Sequence, residues 1–579
     1  MGKKKTNIRE IIDLKDMIKQ STELFGNCTA FKLKPNKEVN EYVEITYKQF
    51  DNEINCLGTA LLDLGLKDET INVIGNNRYE WAVSYLAVVN GVGVVSPLDK
   101  SLKNDEIKSL VLRSKSKAFI FDGAYIETVK EIIAEGNTNV KYFICMDDIE
   151  EEGIIYYKDL VKKGQQILVK GNTDYADIEI DNEATKIILF TSGTTSQSKA
   201  VMLSHKNICS NIMDCRKILD VSEKDTILSF LPLHHTFECT AGFLLVIYSG
   251  ATIAYCDGVK YLAKNINEYA ISIMISVPIL YENMYKKLMS TIKSSGKYET
   301  MQKAVSLFNA LDAIGINTFS LRKKAFKDIY AKLSPNLRLF VAGAAAMDKE
   351  VVKGFNNLGV MFFQGYGLTE TSPVLACESA KACRPGSVGK PLENCEVRIE
   401  DKNENGIGEI VVKAPYVMKG YYENPEATAE VLKDGWFYTG DLGYLDDDGY
   451  LYISGRKKTV IVLKNGKNIF PEELEALINE LPYITESMVY GKPDKKDDYD
   501  ICAKIVYDLN AFKEAFKEKD YDEKKIKKLI MKDIKKINKT LPAYKYVRDI
   551  IITTEPLIKT TTQKIKRHEE LKLILNENK

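Results

Sequence analysis

Residues 186–207 read KIILFTSGTTSQSKAVMLSHKN. The apolar run 187–190 has the pattern of a short buried strand. It empties into eight residues, 191–198, of which seven carry a hydroxyl or are glycine, and Lys199 closes them. A second apolar run, 200–203, follows. A strand spilling into Ser, Thr and Gly before a lysine is a phosphate cradle in outline. Glycine lets backbone approach an anion, hydroxyls and successive N–H groups supply donors, and the lysine supplies charge. No Gly-Lys-Ser/Thr closes the loop, so it is not the P-loop NTPase signature. On composition alone the segment reads equally as a Ser/Thr-rich surface hairpin loop.

A chain of 579 residues is too long for one core, so two or more domains are expected. Net charge is zero, which gives no global reason to expect a nucleic-acid partner. The charge is uneven: from Arg456 onward there are 28 Lys and Arg against 21 Asp and Glu, +7, leaving −7 before it. That suits a basic, mobile part beside a polyphosphate, or simply a Lys-rich solvated surface. Eleven scattered cysteines without a CxxC pair describe a reduced, intracellular protein rather than a disulfide scaffold or zinc site. No apolar run approaches a membrane span, and no signal peptide is expected. A cytoplasmic protein with at most peripheral membrane contact is expected. Residues 1–6, MGKKKT, fit a loose myristoylation pattern and equally a charged, disordered start.

Along the chain, residues 47–66 carry Leu57, Ala60, Leu61 and Leu64 at helical spacing. Strand-like runs at 71–74, 91–96, 117–121 and 140–145 alternate with helical ones. Such alternation argues for doubly wound α/β sheets, with the phosphate loop where open sheets bind ligands. The adjacent His234 and His235 in LPLHHT would need partners if buried; alone they read as a capped, solvent-facing pair. The Lys-rich stretch 286–333, with Met289, Ile292, Met301, Val305, Phe308, Leu311 and Phe319, reads as amphipathic helices covering a sheet.

Six motifs in order resemble the acyl-adenylate-forming superfamily, over about residues 20–570, closest to acyl-CoA synthetases for medium- or long-chain fatty acids. TSGTTSQSKAV resembles the family's phosphate loop: Thr191, Gly193, Thr194, Thr195 and Lys199 match, with Ser192 between them. Ser196, Ser198 and Ala200 stand where the family has Gly, Pro and Gly. LPLHH resembles the acyl-pocket gate, which implies pocket roles for His235 and, behind it, His234. Gly343, Ala344 and Ala345 fall on the adenine-side loop. Gln364-Gly365-Tyr366-Gly367-Leu368-Thr369-Glu370 is the most specific motif. It implies Tyr366 stacked on the base, Gly367 beside the acyl group, and Glu370 as a hard oxygen ligand for Mg2+ together with Thr191. WFYTGD places Asp441 on the ribose hydroxyls, Arg456 on ribose or phosphate, and Lys458 at the hinge. Gly466, Lys467 and Asn468 resemble the CoA-side loop. Lys564 falls on the catalytic lysine, although Gln563 stands where the family has Gly.

The resemblance implies a large N-terminal domain, 1–455, binding AMP and the acyl group; a hinge, 456–458; and a small α+β C-terminal domain, 459–579. A carboxylate attacks the α-phosphate of ATP with Mg2+, and CoA then displaces AMP. Catalysis falls to Lys564, Glu370 and Thr191. Rotation of the small domain about the hinge exchanges the Lys564 face for the Gly466 face. The alternatives are a ligase loading an acyl carrier protein, with no carrier domain expected after Arg567, and a non-catalytic sensor of acyl groups or nucleotides. The helical stretch 286–333 is the clue to chain length.

Overall fold

The structure is a computed structural model describing residues 8–34, 41–191, 198–345, 347–464, 467–493, 499–516, 522–560 and 564–577. Its contacts divide it into two compact units, Met1–Glu396 with Lys413–Gly435, and Val397–Val412 with Trp436–Lys579.

The first unit holds two sheets. In one, Glu69–Ile74 is flanked by Gly93–Pro97 and Ala118–Phe121, all parallel. Tyr142–Cys145 and Ile154–Tyr156 extend one side, and Thr185–Thr191, Lys199–Ser204 and Gly420–Tyr421 the other. In the second sheet Thr226–Ser229, Thr252–Tyr255, Ile273–Ser276, Leu339–Ala342 and Met361–Gly367 run parallel, with Val374–Cys377 antiparallel beside them. Ala118–Phe121 and Leu339–Ala342 are buried along their whole length, as strands covered on both faces must be. The doubly wound expectation therefore holds.

Local rules set the helices. Tyr47–Asp63 starts at Thr46, whose hydroxyl accepts from Gln49 N while the Gln49 side chain accepts from Thr46 N. This reciprocal cap satisfies two otherwise orphaned donors. Leu57, Ala60 and Leu61 are buried on one face, each leucine contributing roughly 1.5–3 kcal/mol by leaving water. The helix stops at Leu64, before Gly65 at φ 76°. Residues 286–333 lie in the helices Pro278–Ser294, Tyr298–Ala313, Phe319–Ala325 and Lys327–Lys332, with Ile292, Met301 and Val305 in the core beside Phe340 and Phe355.

The phosphate loop follows a strand, as expected. It joins Thr185–Thr191 to Lys199–Ser204, which pair antiparallel with Thr191 opposite Lys199. The cradle is thus a hairpin turn at the side of a parallel sheet, with no helix N-terminus directly behind it. The next helix, His205–Ile218, begins only after the return strand, capped by Ser204.

In the second unit, Gly408–Lys413, Trp436–Leu445 and Leu451–Arg456 pair antiparallel. A further sheet of Ile484–Pro493, Tyr499–Tyr507 and Asp549–Thr553 shares a core with the helices Pro471–Asn479 and Glu523–Asn538, through Leu474, Ile478, Ile505, Ile530, Ile534 and Ile550. Strands at 397–412 and 436–456 thus group with the C-terminal part, so packing divides the chain earlier than residue 455. A hinge at 456–458 is a statement about motion and remains a proposal.

Candidate active site

Of the phosphate loop, Ser192, Gly193, Thr194, Thr195 and Ser196 lie outside the described residues, as do Gly466 and Gln563. The structure describes the two ends of that loop. Thr191 Oγ1 donates to the carbonyl of Lys199 (3.2 Å), closing the hairpin mouth. Beside it, Arg113 donates to Ser198 Oγ and to Ser198 O, both at 2.8 Å, and its guanidinium lies 5.1 Å from the centre of the Phe190 ring. The residue before Lys199 is therefore held from outside by a two-pronged cation.

Lys199 and Glu370 are 171 positions apart in sequence, and one residue links them. Gly420–Tyr421 pairs with Val201 and Met202 on the lysine's strand. The ammonium of Lys199 sits 4.4 Å from the centre of the Tyr421 ring, a cation–π distance. The Tyr421 hydroxyl donates to Glu370 Oε1 at 3.0 Å. Burial, reinforced by the Glu370 charge, holds that phenol far above its ordinary pKa, so it stays a donor. Met418 N donates to Glu370 O (2.8 Å), fixing the backbone of the same turn. Sequence reading missed Tyr421: a two-residue strand after a loop leaves no periodic signal. Thr191 and Glu370 offer a hydroxyl and a carboxylate, the hard oxygen donors that Mg2+ takes; among the described residues Glu370 Oε2 has no hydrogen-bond partner.

The base-side motifs are neighbours. Ala342 pairs with Gln364, so Gly343, Ala344 and Ala345 leave one strand where Gln364, Gly365, Tyr366 and Gly367 end the next, and Thr369 opens the short turn carrying Glu370. Tyr366 is half-buried. The two glycines beside it differ. A Cβ at Gly367 would fall 1.8 Å from Pro373 O, whereas at Gly365 it would make only ordinary contact. Gly367 is thus demanded by the protein's own backbone, whereas the protein's own packing does not demand glycine at Gly365. Ala344 adopts φ 74°, a left-handed conformation unusual for alanine.

The histidine pair is not solvent-facing. His234 is buried, with Nε2 3.5 Å from Asp99 Oδ1, and its ring lies 4.3 Å from that of His235. Asn77 holds the preceding loop from both sides, donating to Leu231 O (2.7 Å) and accepting from Leu233 N (3.3 Å). Phe237 lies so close to Gly343 that a Cβ there would come within 2.8 Å of its ring, which joins the segment after His235 to the loop Gly343–Ala345. Glu238, also unforeseen, is buried, and burial pushes its carboxyl up to about 8.

In the second unit, Asp441 and Arg456 stand opposite each other on paired strands, and Arg456 Nε meets Asp441 Oδ1 at 2.9 Å. Arg456 was expected on ribose or phosphate. Here its guanidinium is on the buried Asp441 carboxylate, which it orients while remaining half-exposed. Lys458 is exposed. Lys467 lies 4.4 Å from the centre of the Tyr544 ring, and Asn468 pairs with Val462. Lys564 is exposed on a turn closed by Thr560 N donating to Lys564 O (2.8 Å) and Lys564 N to Thr560 Oγ1 (3.2 Å). Three residues on, Arg567 donates to Glu475 Oε2 (2.6 Å) and Val489 O (3.2 Å). That anchor ties the lysine's turn to the helix Pro471–Asn479, which follows Lys467 and Asn468.

Comparison with known proteins places two family models on this chain. The AMP-binding enzyme model matches residues 24–422 and the AMP-binding enzyme C-terminal domain model residues 458–574. Long-chain-fatty-acid–CoA ligase 5 of Rattus norvegicus is 31% identical over 94% of this chain and 84% of its own length. A chloroplastic long-chain-fatty-acid–[acyl-carrier-protein] ligase of Arabidopsis thaliana is 28% identical over 83% of this chain and 75% of its own. Among solved structures, an anthranilate CoA ligase in complex with anthranoyl-AMP superposes with a TM-score of 0.75 at 21% identity, covering 99% of both chains.

Proposed function

The chain belongs to the AMP-binding enzyme family, and from that premise we propose that it is a fatty acid–CoA ligase for medium- or long-chain acids. A carboxylate oxygen of the acid attacks the α-phosphorus of ATP, and pyrophosphate leaves. The thiol of CoA then attacks the acyl carbonyl, losing its proton, and AMP leaves.

The observation that carries this reading is the chain Lys199–Tyr421–Glu370 at the mouth of the hydroxyl-rich hairpin. It sets one cation and one carboxylate at fixed places beside a loop suited to β- and γ-phosphates. Thr191 and Glu370 would hold Mg2+, which neutralises phosphate charge when bound. Phosphoryl-type transfer needs positioning and charge neutralisation more than covalent help, and this set provides both. Tyr366, between Gly365 and Gly367, would take the base; Asp441, oriented by Arg456, would accept from the ribose hydroxyls. Lys564 would meet charge developing at the α-phosphate, and rotation about Lys458 would bring up Lys467 and Asn468 for the thiol step. His234 and His235 would face the acid.

The fatty-acid assignment draws on the ligases named above and on the helical stretch 278–332. Each buried methylene contributes up to about 0.8 kcal/mol, so activation should climb steeply with chain length. Pyrophosphate release should rise from C4 to C12 or longer, and a preference for acetate, an amino acid or an aryl acid would refute it. The Arabidopsis relative motivates a second reading, an acyl carrier protein as acceptor. Supplying CoA and carrier protein separately to enzyme holding acyl-AMP decides between them.

A further inference from the structure

The helices Tyr298–Ala313 and Phe319–Ala325 carry an apolar face that no described part of the protein covers. Leu307 is 60% exposed, Ile314 72%, Ile316 47% and Leu321 45%. Among the described residues this is the densest such group in sequence, four within fifteen residues. Helical geometry makes them one patch. Leu307 and Ala310, three residues apart, share one side of the first helix, and Ile314 follows just past its C-terminal end, while Met301 and Val305 turn inward to the core. The connecting turn, with Gly315 at φ 86°, puts Ile316 beside Ile314 at the tip, and Leu321 follows on the returning helix.

The charge around this patch is one-sided. Residues 286–333 hold ten basic residues against three acidic ones, +7, although residues 1–455 together carry −7. Two of those three acids are already neutralised locally: Asp312 by the buried Arg322 (2.6 Å) and Asp328 by Lys297 (2.9 Å). Lys303, Lys324 and Lys327 are exposed; Lys303 lies one turn from Leu307 and Lys324 one turn from Leu321. An exposed apolar face with lysines beside it matches one partner in particular. Apolar side chains enter the acyl boundary of a bilayer while lysine stems reach back to anionic headgroups. A second copy of the chain fits poorly, because it would set the same lysines against one another.

We propose that this hairpin, centred on Ile314 and Ile316, docks the enzyme on an anionic lipid surface. The inference stands on the exposed face and its charge, and its test uses no substrate, so it survives or fails independently of the fatty-acid reading.

The experiment is co-flotation of the full chain with vesicles of phosphatidylcholine alone or with phosphatidylglycerol. Binding should appear with phosphatidylglycerol and weaken as salt rises, since surface attraction fades beyond a Debye length. The double variant Ile314→Asp/Ile316→Asp should lose at least tenfold in binding. Lys303→Glu and Lys324→Glu should each lose roughly fivefold or more. All four side chains are exposed, so the variants should keep the wild-type unfolding midpoint, which is measured alongside. If the wild type stays unbound on both vesicles, or if the double variant binds as well as wild type, the proposal is overturned. It is equally overturned if light scattering shows a dimer that the double variant dissolves, because the face then belongs to a second copy.

Discussion

Tyr421→Phe isolates one hydrogen bond, the one from Tyr421 to Glu370. The substitution keeps the ring, hence the 4.4 Å contact with Lys199 and the burial of a side chain only 5% exposed. It removes the O–H that donates to Glu370 Oε1 at 3.0 Å. A hydrogen bond to a charged acceptor contributes roughly 1.5–3 kcal/mol, so kcat/KM for ATP should fall about ten- to 150-fold. The loss should appear as weaker dependence on ATP and Mg2+, with KM for the acid nearly unchanged. Because Tyr421 is argued to act through Glu370, the effects must couple. In a Glu370→Gln background the same substitution should cost less than about threefold, the signature of two groups acting as a unit. Tyr421→Leu, which also removes the ring from Lys199, should cost a further ~0.5–2 kcal/mol. A Tyr421→Phe enzyme within twofold of wild type at limiting Mg2+ would refute the reasoning, and so would full additivity with Glu370→Gln.

Lys564→Ala should cut acyl-AMP formation by roughly 10²–10³, the loss expected for a transition-state contact, while preformed acyl-AMP plus CoA still gives product near the normal rate; equal damage to both steps means the lysine's face does not turn away. Lys458→Pro should let acyl-AMP accumulate without thioester, since proline fixes φ near about −65° where a hinge must change it; equal slowing of both half-reactions removes Lys458 as the pivot. Burial keeps Glu238 protonated in the folded protein up to about pH 8, whereas its unfolded carboxyl ionises near 4.5, so folding loses stability as pH rises between those values. By pH 7 the loss is at most about 3.5 kcal/mol; Glu238→Gln should flatten the fall in thermal midpoint from pH 5 to 8, and parallel curves would exclude the residue. Arg113→Ala should raise KM for ATP several-fold by releasing Ser198, and Ser198→Pro, which restricts φ without a guanidinium, should restore it; failure of that rescue would detach Arg113 from the loop's geometry.

Much of the architecture was legible because parallel strands advertise themselves. Runs such as 118–121 are apolar throughout, since helices cover both faces of the sheet. The phosphate hairpin was harder to place. An apolar run followed by Ser, Thr and Gly has the same composition whether the chain next enters a helix or turns back. Only the second apolar run at 200–203, read as a strand, favours the return. The Asp441–Arg456 pair was nearer to hand. The turn around Asp448 centres a hairpin, and counting outward brings these residues face to face, but only after allowing for the irregularity between Leu442 and Gly443, which composition does not announce.

The loop's departures from its family show why the rest of the site could not be read locally. Ser198 occupies a position where proline would restrict the backbone by covalent geometry. In this chain the restriction comes instead from Arg113, 85 residues earlier, whose guanidinium takes both the hydroxyl and the carbonyl of Ser198. A serine with a hydroxyl to offer suits that arrangement and a proline does not, so the substitution and the arginine are one solution rather than a defect and a coincidence. Tyr421 follows the same logic: it joins Lys199 to Glu370 through a two-residue strand that forms only once the rest of the sheet exists. Residues that touch substrate carry motifs because their chemistry dictates their type. Residues that hold them in place are chosen by tertiary geometry, and several side chains could do each task, which is why Arg113, Tyr421 and Arg567 emerge only from the folded chain.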